Sequence, residues 1–223
     1  MAERGQGTVG GRSTHLRLAV FRPSAAGSAV DAVLRDDVLP QLCRMPGIAD
    51  VYAGRIGEDD TDRVVASVWI GPALTLPDSR LEQRLLVEVL PSGGTEREDL
   101  TAETMPLDVA ARFERSEPAG ILRIFRGAVK HDDLDAYIAE AQGGMLQDAA
   151  ANPGLIAFYL GRTGADSFLT VSAWTGWDAI ERATGGNVRD PFQTRNSSRL
   201  ASFTIRHFEI LPDLTRPMPP PGD

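Results

Sequence analysis

The sequence predicts an α+β fold built from two tandem β-α-β-β-α-β repeats, and three observations carry that prediction. The stretch "MPGIADVYAGR" (Met45–Arg55) is nearly rewritten as "NPGLIAFYLGR" (Asn152–Arg162). Four landmarks then recur in the same order with small drifts in spacing, as in a duplicated domain. Phe21-Arg22 matches Phe125-Arg126, Pro46-Gly47 matches Pro153-Gly154, Trp69 matches Trp174, and "LLVEVLP" (85–91) resembles "RHFEILP" (206–212). Finally, "ILRIF", "LIAFYL" and "FLTVSAW" are apolar on both strand faces. A sheet with one wet face would alternate apolar with polar residues. Two sheets packed open face to open face would bury both.

The elements follow in order. Residues 1–13 read as a flexible tail. The first repeat spans 14–91 and opens with "LRLAVFRP" (16–23), a strand by its β-branched and aromatic content. A helix is expected over Ser28–Cys43, with Val30, Val33, Leu34, Val38 and Leu42 largely on one face. Pro46-Gly47 makes a turn. Two strands joined by "IGEDDTD" follow, the second being "VVASVWIG" (64–71). With "LLVEVLP" as its closing strand, this repeat is too short after Trp69 for a second helix, and Pro72 and Pro77 oppose one. The connector 92–117 is then expected to supply a substitute, a helix over "PLDVAARFER" (106–115). The second repeat spans 118–213: strand "ILRIFRG", a helix from Asp132 to Ala150, the Pro-Gly turn, two strands around "TGAD", the short helix "WDAIERAT" and a closing strand. Leu134, Tyr137, Ile138, Ala141 and Met145 share one face of the long helix. Gly143-Gly144 predicts a kink or break there, each glycine costing about 1 kcal/mol against alanine. Residues 214–223 form a Pro-rich tail. The order is the split βαβ of the ferredoxin-like fold.

Composition narrows function. Of 223 residues 42% are hydrophobic, enough to pack a core, and the net charge is −8. An acidic surface repels phosphate backbones, so no nucleic-acid partner is expected. No apolar run is long enough to cross a bilayer, so no membrane span is expected. The single cysteine, Cys43, excludes an internal disulfide and fits a reducing, cytoplasmic compartment. Nucleophile elbows and phosphate loops are missing, and "TGGN" (184–187) lacks a loop lysine. His15, His131 and His207 are scattered without ligand spacing, and His131-Asp132-Asp133 reads as a solvated helix start rather than a metal site.

The "NPGLIAFYLGR" turn-strand, the "FLTVSAWTGWDAIERA" strand-helix and the closing "HFEIL" together resemble an antibiotic biosynthesis monooxygenase-like domain of the dimeric α/β-barrel superfamily. The resemblance covers 105–212 well and 16–91 loosely. It implies that the two repeats form a pseudo-dimeric α/β barrel. It also implies a small hydrophobic or aromatic ligand beside Trp174, with Ser172 and Phe168 on the same strand face and Tyr159 and Arg162 as further candidates. The activity implied is cofactor-free oxygenation of an aromatic or polyketide-like substrate; the alternative is a non-catalytic ligand-binding or assembly module. A general base is not assigned, and homo-oligomerisation is left open. Haem-degrading relatives carry an iron-ligating histidine about ten residues after this tryptophan. Ala183-Thr184 stands there, so no haem and no other cofactor are expected. Arg123 lies mid-strand with Ile121 and Phe125, and is expected to form a structural ion pair with Glu88 or Glu209 in preference to clamping a substrate.

Overall fold

The computed structural model describes residues 14–22, 27–56, 62–71 and 100–211. In chain order these form β1 (Thr14–Phe21), α1 (Gly27–Val33), a π-turn (Leu34–Val38), α2 (Leu39–Leu42), β2 (Ile48–Arg55), β3 (Arg63–Ile70), β4 (Leu100–Pro106) and β5 (Val109–Arg112). Then come β6 (Ile121–Val129), α3 (Leu134–Glu140), a second π-turn (Ala141–Met145), α4 (Leu146–Ala151), β7 (Leu155–Arg162), β8 (Ser167–Trp174), α5 (Trp177–Thr184), a 3-10 turn (Arg195–Arg199) and β9 (Leu200–Ile210). They fall into two compact units, one holding the described residues to 104 with 208–211, the other 105–207. The fold is α+β, with antiparallel strand pairing in both units.

In the first unit the strand order is β4-β1-β3-β2, with the end of β9 beside β2 at Gly54↔Ile210. Its apolar core gathers Phe21, Val30, Leu34, Val38, Leu42, Val51 and Trp69. The helix widens into a π-turn where Pro40 follows. Proline offers no N–H to the carbonyl four residues back and its ring crowds that carbonyl. In the second unit the order is β9-β6-β8-β7-β5. Strand β7 is buried at every position but Arg162, and β8 at every position but Ser167, so both of their faces are covered. The break expected at Gly143-Gly144 is the second π-turn.

Three expectations need correction. Residues 106–115 are not helical: Pro106 ends β4, and β5 pairs with β7 at Val109↔Leu160 through Arg112↔Ala157. Helix compatibility is a weak prior, and a free sheet edge at β7 outweighs it. The strand beside β1 is β4, whereas the expected closing strand 85–91 lies outside the described residues. From Trp69 to the end of β4 the chain is about as long as from Trp174 to the end of β9, and the expected loss of a second helix after Trp69 falls outside the described residues. The Phe21–Phe125 match is also out of step by two. Arg17 faces Ser67 as Arg123 faces Ser172, which makes Gly127 the counterpart of Phe21. A shift of two leaves every side chain on its own face, so the hydrophobic pattern could not detect it.

The Pro-Gly turn before β7 shows how tightly this unit is packed. Asn152 Oδ1 accepts from the Gly154 N–H (3.0 Å), and its amide donates to the Ala179 carbonyl of α5 (3.3 Å). A Cβ on Gly154 would lie 2.2 Å from Ala179 Cβ and 2.8 Å from Thr175 Oγ1. Gly154→Ala is therefore expected to destabilise the protein by about 1–3 kcal/mol through overpacking, read as a lower urea midpoint. An unchanged midpoint would show that α5 moves aside at no cost.

Candidate functional site

The second unit contains a cavity between its helices and the face of β6-β8-β7 that carries Arg123, Phe158 and Trp174. Its main chamber holds about 360 Å³ and is lined by Met145, Asn152, Phe158, Trp174, Arg182 and Phe192, among others. That volume falls at the lower end of ligand pockets, about 300–1,000 Å³. A recess of about 20 Å³ adjoins it and shares Met145, Phe158, Phe192 and Thr194 as walls. The recess is further lined by Arg123, Phe125, Tyr137, Thr170 and Ser197. It has room for about one water-sized group.

Strand alternation puts Ile121, Arg123 and Phe125 on one face of β6, against the helices. Arg123 is 1% exposed. Its NH2 donates to the Asp190 carbonyl at 2.7 Å, and its guanidinium lies 4.5 Å from the Phe192 ring centroid and 5.5 Å from that of Phe125. Nε is buried with no acceptor. The expected ion pair with Glu209 is absent among the described residues, and Glu88 lies outside them. The chain meets the charge with aromatic faces and one carbonyl. Burial lowers the Arg123 pKa to about 10, partly offset by Tyr137, so it remains a cation at neutral pH. Burial raises the Tyr137 phenol, which stays protonated and a donor.

Of the residues expected from the sequence, Trp174 lines the chamber, 5.3 Å from the Phe192 ring. Ser172 accepts the Trp174 indole N–H at 2.9 Å and holds that ring in place. Phe168 is packed behind the recess, 4.3 Å from the Tyr137 ring and 5.7 Å from that of Phe125. Tyr159 is buried and alternates with Phe158 and Leu160, whose side chains join the helix-facing core. Arg162 is on the surface, paired with Asp135 (2.6 Å) and Asp108 (3.2 Å), the Asp135 bond being the main cause of its raised pKa. Neither Tyr159 nor Arg162 lines the cavity. Ala183 borders the chamber, and the Thr184 hydroxyl is spent on the Ile180 carbonyl at 2.9 Å. Neither side chain suits an iron. His131 and Asp132, both exposed, cluster with the partly buried Asp166 away from the cavity lining.

Sequence reasoning missed Phe158, Phe192 and Tyr137 as site residues. Phe192 comes from an irregular segment with no periodicity to read. That segment is held from below: Asn196 donates to the Tyr137 carbonyl at 2.9 Å, and Ser197 to the Phe192 carbonyl at 2.8 Å.

His207 marks the same electropositive neighbourhood. Burial, then the charges of Arg123 and Arg189, lower its pKa to about 4. The folded value lies below the ordinary 6.5, so its contribution to stability is complete above pH 6.5 and is lost as pH falls toward 4. The ring is partly exposed, so the loss is roughly 1–2 kcal/mol after solvent screening. His207→Gln is expected to remove that part of the acid sensitivity, measured as the change in unfolding midpoint between pH 7 and 4.5. An identical pH profile in the variant would assign the sensitivity to carboxylates.

Against known proteins, no family model matches the chain and no curated protein matches it. Solved structures do. A "putative monooxygenase" from Fusobacterium nucleatum is 12% identical, covering 89% of this chain and 93% of its own, with TM-score 0.68. An anthrone oxidase-like protein is 14% identical over 91% and 92% of the two chains, at TM-score 0.55. A ferredoxin-fold protein from Listeria monocytogenes, related to antibiotic biosynthesis monooxygenases, is 9% identical over 92% and 99%, at TM-score 0.51. At such identities the likeness is one of fold: a ferredoxin-like α+β protein. Within that class, the chain shares the fold of this Listeria protein related to antibiotic biosynthesis monooxygenases.

Proposed function

We propose that the chain is a small-molecule-binding protein of this fold, acting as a cofactor-free monooxygenase on a planar aromatic or polyketide-like substrate. The observation that carries this reading is the open chamber beside Trp174. A purely structural tryptophan would sit in filled space, whereas this one borders about 360 Å³ walled by Phe158, Phe192 and Met145. Aromatic walls with a few convergent polar groups suit a flat ligand. Neighbours named monooxygenase and anthrone oxidase-like support oxygen chemistry.

The same reading includes two tandem repeats making one pseudo-dimeric barrel. Three irregularities recur in support of duplication. Each long helix has a π-turn, each second strand has a bulge (Ile48/Asp50 and Leu155/Ala157), and each third strand's tryptophan donates to the serine two residues before it at 2.9 Å.

Anthrone is the test substrate. Its oxidation consumes one O₂ per molecule and gives anthraquinone and water, which balances without an external reductant. The purified protein, dialysed against chelator, is expected to accelerate oxygen uptake in proportion to its concentration. Binding of anthrone without oxygen uptake would select the alternative, a non-catalytic ligand-binding module. No binding would overturn the aromatic site itself.

A further inference from the structure

We propose that Arg123 forms an anion subsite in the recess of this cavity, which takes the ligand as its oxyanion: a single phenolate or enolate oxygen. The proposal rests on the aromatic-site reading above and specifies which ionised group the ligand brings.

The charge on Arg123 is uncompensated among the described residues. A buried guanidinium is normally paired with a carboxylate that takes its hydrogen bonds. Arg123 has one carbonyl partner and an orphaned Nε, and it lines the recess. The titratable groups that bear on it electrostatically are Tyr137 on α3 and His207 on β9, and His207 in turn feels Arg189. None of these carries a negative charge at pH 7. Tyr137 is held as a neutral phenol and His207 as a neutral imidazole at pH 7. Asp190 supplies its main-chain carbonyl to Arg123. The recess thus presents one cation and neutral hydrogen-bonding groups, with Thr170 and Ser197 hydroxyls in its wall. Such a lining stabilises negative charge that arrives with the ligand.

Size selects the kind of anion. About 20 Å³ has room for roughly one water-sized group, which suits a single oxygen better than a branched carboxylate. The aromatic body then remains in the main chamber, between Trp174, Phe158 and Phe192. On binding, the ligand O–H breaks, its proton leaves to solvent, and the electron pair stays on the oxygen facing Arg123. No redox partner is needed for this step.

Three probes test the subsite: alizarin, whose visible spectrum reports phenol ionisation; anthraquinone, which has no ionisable oxygen; and anthraquinone-2-carboxylate. Alizarin is expected to bind the wild-type protein as the anion, with its apparent pKa lowered by about one unit or more, and about tenfold or more tighter than anthraquinone. The carboxylate should bind no better than anthraquinone. In Arg123→Met, bound alizarin should revert to its neutral spectrum and lose about tenfold or more in affinity, while anthraquinone binding holds. Arg123→Lys should keep part of the pKa shift.

Bound alizarin with an unshifted pKa in the wild type would overturn the subsite, even if no variant folds. A shift that survives in Arg123→Met would overturn it too. Tightest binding by the carboxylate would refute the single-oxygen assignment. If anthraquinone binds and these effects fail, the aromatic site stands without the subsite. If no probe binds, both fall.

Discussion

Trp174→Ala is expected to destabilise the protein by roughly 3–5 kcal/mol and to abolish aromatic binding, whereas Trp69→Ala is expected to match the first effect without the second. The two side chains are equally buried, at 1% and 2% exposure, and each indole donates to a serine two residues before it at 2.9 Å. Truncating either removes a large apolar surface and leaves that serine without its donor, which is the expected range for a core tryptophan. The surroundings differ. Trp174 borders the 360 Å³ chamber, and Trp69 belongs to the first unit's apolar cluster with Leu34, Val38 and Val51. Urea midpoints measure the first effect, and quenching of protein fluorescence by anthraquinone the second. Trp174→Phe separates them, since it keeps an aromatic wall while losing the donor. Equal loss of binding in the two alanine variants, both folded, would refute a site confined to the second unit.

The element order was legible because it is written in local chemistry. Pro153-Gly154 specifies a turn, Gly143-Gly144 a helix defect, and "FLTVSAW" a strand buried on both faces; each appears where expected. Trp174 was singled out through its strand and a resemblance to a family, and it borders the chamber. What escaped depended on pairing at a distance. Residues 106–112 carry apolar residues that suit either a helix or an edge strand, and the vacant edge of β7 decides between them. Arg123 was recognised as an inward mid-strand charge, and chemistry alone suggested a carboxylate for it. Its actual neighbour, Phe192, lies far along the chain in an irregular segment, so no spacing rule connects them. Arg162 and Tyr159 stand outside the cavity lining for different reasons. One finds acids on the surface, and the other lies on the wrong face of its strand.

Arg123→Met is expected to stabilise the ligand-free protein, by roughly 1–3 kcal/mol, while weakening binding of an ionisable aromatic. Methionine has similar length and fills the same slot between Phe125 and Phe192 without a charge. What is lost is modest. The guanidinium stands 4.5 Å from one ring centroid and 5.5 Å from the other. Cation–π contacts contribute about 1–2 kcal/mol each, the larger figure applying to desolvated ones. One hydrogen bond goes to the carbonyl of Asp190, an exposed residue that can turn to water. Against this stands the desolvation of a guanidinium with no counter-charge, and replacing buried ionic groups by apolar ones commonly stabilises by about 1–4 kcal/mol. The lowered pKa, which has the same desolvation as its cause, carries the same sign. The folded-state pKa of about 10 lies below the ordinary 12.5, so the folded state disfavours the charged form. The penalty is present throughout the range below pH 10 and is relieved only as pH rises from 10 toward 12.5. Between pH 6 and 9 the urea midpoint of the variant should therefore exceed that of the wild type by a constant margin, with an unchanged m-value. A variant several kcal/mol less stable than the wild type would mean that the aromatic sandwich outweighs desolvation and that Arg123 serves the fold. A more stable variant that has lost its preference for the ionised probe would mean the opposite: the protein accepts a less stable ligand-free state because a ligand supplies the missing charge.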